Sequence, residues 1–304
     1  MSLAKYLDPK NDVAFRRIFG TIKNKDILIR FLNDVIPFPD RAQIQDVSFP
    51  PPVQDPEILV NKQSIVDVLC QDQHGHQYIV EMQVASTKGF RKRAQYYAAK
   101  VYASQMKQGD PYEGLKGVIF LAITDFILFP ELKSYRSDHL ILEKSTRQHL
   151  LKDFYFCFLE LPKFKKKIDE LTTIVEKWAY FFKNAPQTTP KEIGKVAGSD
   201  KILRKAYGAL NEIYWTRPQY EAYEAALKNQ RDLEAMIASG EDRGFQRGKA
   251  EGMAEGKAEG KAEGEVEGET KATKKLVKRL LQLGYDIEAI QKVTDLSPKE
   301  IAKL

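Results

Sequence analysis

The chain opens on helical spacing. Phe15, Ile18 and Phe19 fall on one face of a helix that Asp12 can cap, and Ile27, Leu28, Phe31, Leu32 and Val35 mark a second. A short strand is predicted around residues 44–49, closed by the triplet Pro50, Pro51 and Pro52. The period then changes to alternation and short apolar runs, which predicts strands over 64–71, 77–85 and 117–124, with a helix over 90–107 between the last two. Two more strand-like runs cover 139–143 and 154–160. Beyond Pro162 the pattern is helical: 168–182, 199–214, and a long run opening at Arg217 and Pro218, where proline suits a first turn. The expectation is an α/β half followed by an all-helical half.

Within the long run, glycine recurs every fourth residue at positions 240, 244, 248, 252, 256, 260, 264 and 268. Each glycine costs a helix about 1 kcal/mol relative to alanine, so a lone helix here is marginal. Residues 241–275 hold nine acids and eight bases, a nearly neutral, mixed segment. Two readings remain: a solvated spacer of partial helicity, or a stripe along which two backbones pack closely. The tail has an apolar face of Leu276, Leu280, Leu281 and Leu283 that stops at Gly284, and then N-cap candidates at Asp286 and Ser297. This order superficially resembles a helix-turn-helix. The helix starting at Pro298 carries only Lys299 and Lys303 as basic residues, so a small packing module is the stronger reading.

Composition adds bounds. The 304 residues are 43% hydrophobic and 30% charged, enough to build a core and inconsistent with disorder, and a formal charge of +6 permits a polyanionic partner. Cys70 and Cys157 sit in apolar runs and cannot form a disulfide framework or a zinc site, which points to a reducing, cytoplasmic setting. No stretch is apolar for long enough to span a membrane, and the start lacks a signal-peptide hydrophobic region.

The candidate chemistry lies in the strands around residue 75. A three-residue loop, Gln73, His74 and Gly75, pairs Asp72 with His76, so positions summing to 148 face each other. Asp67 then lies opposite Glu81, with Gln83 on the same face, while Val66, Val68, Cys70, Tyr78, Val80 and Met82 point to the core. Opposed like charges destabilise a sheet unless something sits between them. A divalent cation fits that role, and a solvated acidic pair on an open face is the alternative.

Asp67 followed after a hairpin by Glu81, Met82 and Gln83 resembles the PD-(D/E)XK nuclease signature in its ExQ form, with glutamine at the usual lysine position. The opening run from Asp8 to Gly20, the helix carrying Arg93, Tyr96 and Tyr97, the Lys-Ala-Glu-Gly repeats and the terminal helices are together similar to the Rpn family of recombination-promoting nucleases, described also as transposases. The resemblance implies a restriction-endonuclease-like core, a mixed central sheet flanked by helices, over 1–161. A helical segment over 162–239, a glycine-periodic arm over 240–270 and a helix-turn-helix-like module over 271–304 follow it. It also implies Mg²⁺-dependent hydrolysis of DNA phosphodiesters with low sequence specificity in recombination or mobile-element processing, with Mn²⁺ as an alternative ion. Asp67 and Glu81 would hold the metal, Gln83 would complete the catalytic set, and Asp12 would be a supplementary acid. Lys88, Arg91, Lys92, Arg93, Tyr96 and Tyr97 are candidate DNA contacts, with Lys163, Lys165, Lys166 and Lys167 a second basic cluster. A homodimer, joined through the arm, would reach both strands. The glutamine at 83 supports the competing reading, a nuclease fold retained for DNA binding or assembly without turnover.

Overall fold

The computed structural model describes residues 6–37, 43–49 and 66–303. The first five residues, the proline triplet and positions 64 and 65 of the expected strand lie outside them. In chain order, α1 (Asp12–Phe19) and α2 (Lys25–Val35) precede the two-residue strand β1 (Val47–Ser48) and the hairpin β2 (Val68–Asp72) and β3 (Gln77–Gln83). Then come α3 (Phe90–Ala103), β4 (Val118–Thr124), β5 (Arg136–Leu140) and β6 (Phe154–Glu160). The helical half holds α4 (Ile174–Asn184), α5 (Pro190–Ala197), α6 (Lys201–Ala209), α7 (Arg217–Gln282), α8 (Ile287–Thr294) and α9 (Pro298–Ile301).

The strands form one mixed sheet in the order β1-β2-β3-β4-β6-β5, parallel at β3–β4 and β4–β6 and antiparallel elsewhere. Its β2–β3 register is the predicted one: Val68 faces Val80 and Gln71 faces Gln77. The Asp72 side chain locks that register. Its Oδ1 accepts from the His74 and His76 amides at 2.8 and 2.9 Å, and its Oδ2 accepts from the Tyr78 hydroxyl at 2.9 Å. Gly75, at φ +89°, takes the left-handed turn that closes the loop. Burial alone would push the Asp72 carboxyl up, but the His76 and Tyr78 side chains and the two amides outweigh it and bring its pKa down to about 2.

Both sheet faces are covered. Val68, Cys70, Tyr78, Val80 and Met82 pack with α1, α2 and α4 to α6 in one cluster, while Ile79, Phe120, Ala122 and Phe158 pack with Phe90, Ala94 and Ala98 of α3 in another. Trp178 of α4 shows how the helical half joins the first two helices. Its ring lies 5.1 Å from Phe31, and its indole donates to Asp34 at 2.8 Å. The strand β4, VIFLAIT, is buried at every residue, as a continuous apolar run in a parallel interior requires.

Several local expectations shift. Asn11, not Asp12, caps α1, accepting from Val13 and Ala14 amides. The strand expected over 139–143 lies at Arg136–Leu140, because the Glu143 carboxylate accepts from the Ser145 and Thr146 amides and turns the chain. Thr173 and Glu176 form a capping box that starts α4 six residues later than the apolar pattern suggests. The helix α5 falls between the helices that the apolar pattern predicts, started by a capping box of Thr189 and Glu192 with Pro190 in its first turn. Val66 joins the α3 side and not the Val68 face, since the chain bends at 66 and 67 before β2 begins.

The chain divides into two compact units, Met1–Arg231 and Asp232–Leu304. In the second, Val277, Ile290 and Ile301 form a small core, with Asp286 and Ser297 as N-caps and Gly284 at φ +85°. Among the described residues no helix is long and apolar enough to cross a membrane.

Asp72→Ala leaves the Tyr78 hydroxyl and two turn amides without their acceptor, and should cost about 1–3 kcal/mol. Because the folded pKa is depressed, the contribution of Asp72 is present at neutral pH and lost as pH falls through about 2. Urea denaturation at neutral pH measures it, and an unchanged midpoint would contradict it.

Candidate active site

The carboxylate pair forms where the β2–β3 ladder ends. Backbone pairing stops at Val68 and Val80, and side chains take over beyond it. The Asp67 amide donates to Glu81 Oε1 at 3.2 Å, and the Met82 amide donates to Asp67 Oδ2 at 2.9 Å. Each acid is thus bonded to the backbone of the opposite segment. Glu81 lies on the α3 side of β3 and is 3% exposed. That face is a packed interior, not the open sheet face that would leave the pair solvated.

Burial pushes the Glu81 carboxyl up first, and the neighbouring Asp67 charge adds to it, to a pKa of about 8. Asp67 is raised too, by burial and by the charge of Asp12, against the Met82 amide and Arg16. Two adjacent acids, one buried and one half-buried, that resist ionising together are the donor chemistry a divalent cation fits. Among the described residues no group of three or more His, Cys, Asp or Glu side chains is placed to hold a metal ion, so Asp12 does not complete a triad. It is exposed on α1, within electrostatic reach of Asp67.

Gln83 continues the chain of bonds. Its Nε2 donates to Glu81 Oε2 at 2.8 Å, and its Oε1 accepts from Arg93 Nη2 at 2.6 Å. Tyr97, one turn beyond Arg93, is half-buried, and burial raises its pKa, with Arg93 and Glu81 acting on it in opposite directions. Tyr96 is exposed beside it, with the two rings 5.9 Å apart. Lys88 and Lys92 are exposed. Arg91 is engaged within the protein: it donates to the Leu128 carbonyl, pairs with Glu131 at 3.5 Å and stacks 4.5 Å over Phe129. In the second basic cluster, Lys163 pairs with the fully buried Glu160 at 2.6 Å and Lys166 pairs with Glu176.

Three residues of this site escape a periodicity reading. Arg16 approaches Asp67 at 3.4 Å from α1, one turn after Asp12, a spacing visible in the sequence but without a stated partner. Glu160 accepts from the Leu128 and Phe129 amides at 2.7 and 3.0 Å, holding the segment to which Arg91 anchors α3. Lys163 neutralises it there. A strand-terminal acid followed three residues later by lysine was the only signal for that pair.

With a chelator present, the Glu81 carboxyl has a folded pKa of about 8 against an ordinary 4.5, so folding favours its protonated form. Stability is then fully present below the ordinary value and is lost as pH rises through about 8. Glu81→Gln should flatten that slope in urea denaturation at several pH values with EDTA, and an undiminished slope would contradict the assignment.

A family model described as PD-(D/E)XK nuclease family transposase matches residues 9–240. No curated protein and no solved structure matches the chain.

Proposed function

The chain belongs to the PD-(D/E)XK nuclease family of transposases, and from that premise we propose that it is a metal-dependent endonuclease hydrolysing DNA phosphodiester bonds with little sequence readout, in recombination or mobile-element processing. The carrying observation is the pair of buried Glu81 and half-buried Asp67, each acid bonded to the other segment's backbone. Among the described residues Arg16 pairs with Asp67 alone, at 3.4 Å, and Arg93 reaches only as far as Gln83, so the pair keeps negative charge that a divalent ion, Mg²⁺ or Mn²⁺, would offset. Asp67 and Glu81 would hold it. Such an ion would supply Lewis-acid chemistry, polarising a phosphate and making water more acidic.

The remaining roles fall to the chain's own groups. Gln83 uses the N–H that Glu81 leaves over to orient the attacking water or a phosphate oxygen. Asp12 is in this reading a supplementary acid that acts on Asp67 through its charge and not as a third ligand. Lys88 and Lys92 neutralise backbone phosphates, and Tyr96 offers an exposed ring to a base. The protein acts as a homodimer through 240–270, where a Cβ added at any of the glycines would meet nothing within 4 Å. Along the central repeats the residue before glycine is Glu255 or Glu259 and the residue after it is Lys257 or Lys261. Parallel pairing of two copies sets Glu against Lys, whereas antiparallel pairing sets like against like. The module over 271–304 is a packing element.

Asp67→Ala should lower Mg²⁺-dependent nicking of plasmid DNA by about 100-fold or more, the scale of losing a group that stabilises developing charge. Nicking equal to wild type would overturn the reading. Truncation after residue 239 should convert a dimer to a monomer by light scattering, and an unchanged mass would make the arm a spacer.

A further inference from the structure

Two cations approach the carboxylate pair, and they are held differently. Arg16 reaches Asp67 directly. Arg93 reaches no carboxylate among the described residues. Its Nη2 donates to Gln83 Oε1 at 2.6 Å, its guanidinium stands 4.9 Å from the centre of the Phe90 ring, and its Nε is buried without a partner. Gln83 in turn donates to Glu81 Oε2 at 2.8 Å. The amide therefore has positive charge against its carbonyl oxygen and a carboxylate against its NH₂. Only one orientation satisfies both ends, because a flipped amide would set donor against donor and acceptor against acceptor. Linked in series, the two bonds polarise the amide in the same sense.

We propose that Arg93 is the positioning residue that, through the Gln83 amide, does what a lysine at position 83 would do alone. Gln83 supplies the donor and Arg93 supplies the charge. The amide without the guanidinium is neutral and is oriented by Glu81 alone. The guanidinium without the amide stands one side chain short of Glu81. The setting suits this division of labour. Phe90, one turn back on α3, offers its ring face to the guanidinium, and Arg91 ties the same turn of α3 to the Leu128 carbonyl, whose own amide is held by Glu160. Arg93 is thereby removed from the set of free phosphate contacts, and its effect is exerted on Gln83. The inference rests on the nuclease reading above.

The test compares wild type, Arg93→Gln, Gln83→Lys and the double variant Arg93→Gln/Gln83→Lys, all full-length, for kcat of Mg²⁺-dependent cleavage and for stabilisation by Mn²⁺ in thermal melts. Arg93→Gln should lose about 100-fold in kcat, and Mn²⁺ should still raise its melting temperature. The double variant should recover to within about tenfold of wild type, since lysine at 83 reunites donor and charge. Gln83→Lys alone, which sets an ammonium against the guanidinium, should gain nothing. A purely structural arginine predicts no such rescue. Undiminished activity in Arg93→Gln, or a folded double variant as slow as Arg93→Gln, would overturn the inference while leaving the nuclease reading standing. If Arg93→Gln does not fold, Arg93→Lys replaces it, expected to keep more than about a tenth of wild-type kcat because the charge is retained, and a folded Arg93→Lys below that level would overturn the inference. Wild-type protein no more active than Asp67→Ala overturns the nuclease reading and this inference together.

Discussion

The fold and the site both depend on the closure of one hairpin. Asp72 gathers two amides and the Tyr78 hydroxyl onto one carboxylate, and so fixes a three-residue loop and the register of β2 against β3. A slip of one residue would send every side chain of a strand to the opposite face. Tyr78, Val80 and Met82 would then leave the α1 side, and Glu81 would be driven into it in their place. The carboxylate pair, the apolar face and the seating of α3 are consequences of the same turn.

The site exploits the place where that ladder runs out. Past Val68 the backbone of β2 no longer pairs with β3, and the Asp67 and Glu81 side chains satisfy the amides left over. A pair of carboxylates can therefore be withdrawn from solvent without orphaning the backbone, although Arg16 compensates their charge only in part. Arg16 and Arg93 approach from opposite sides of the sheet, one from α1 and the other from α3. Neither outweighs the burial and the neighbouring Asp67 charge that together raise Glu81 to a pKa of about 8. The arrangement stores a local electrostatic cost at the one point where the family's chemistry would use it.

The helical half has a different character in its two parts. Residues of α4 to α6 complete the core over α1 and α2, with Trp178 among the largest buried side chains. The glycine-periodic stretch of α7 is helical with open space at each glycine, and the last helices close a core of their own.

Much of this was legible in the sequence because it is short-range. Loop length fixes hairpin register, alternation assigns faces, and Asp286, Ser297 and Gly284 announce helix ends through local hydrogen bonds. Those rules sufficed to bring Asp67 close to Glu81, although the two meet through side chains just beyond the ladder and not as a cross-strand pair. They could not tell that the face carrying Glu81 is covered, since a strand's period says nothing about which helix lies above it. They also could not join Arg16 to Asp67, Arg93 to Gln83, Lys163 to Glu160 at the loop that seats α3, or Trp178 to Asp34, 144 residues apart. Long flexible side chains choose partners only after packing has fixed where the elements stand, and that choice belongs to the tertiary structure.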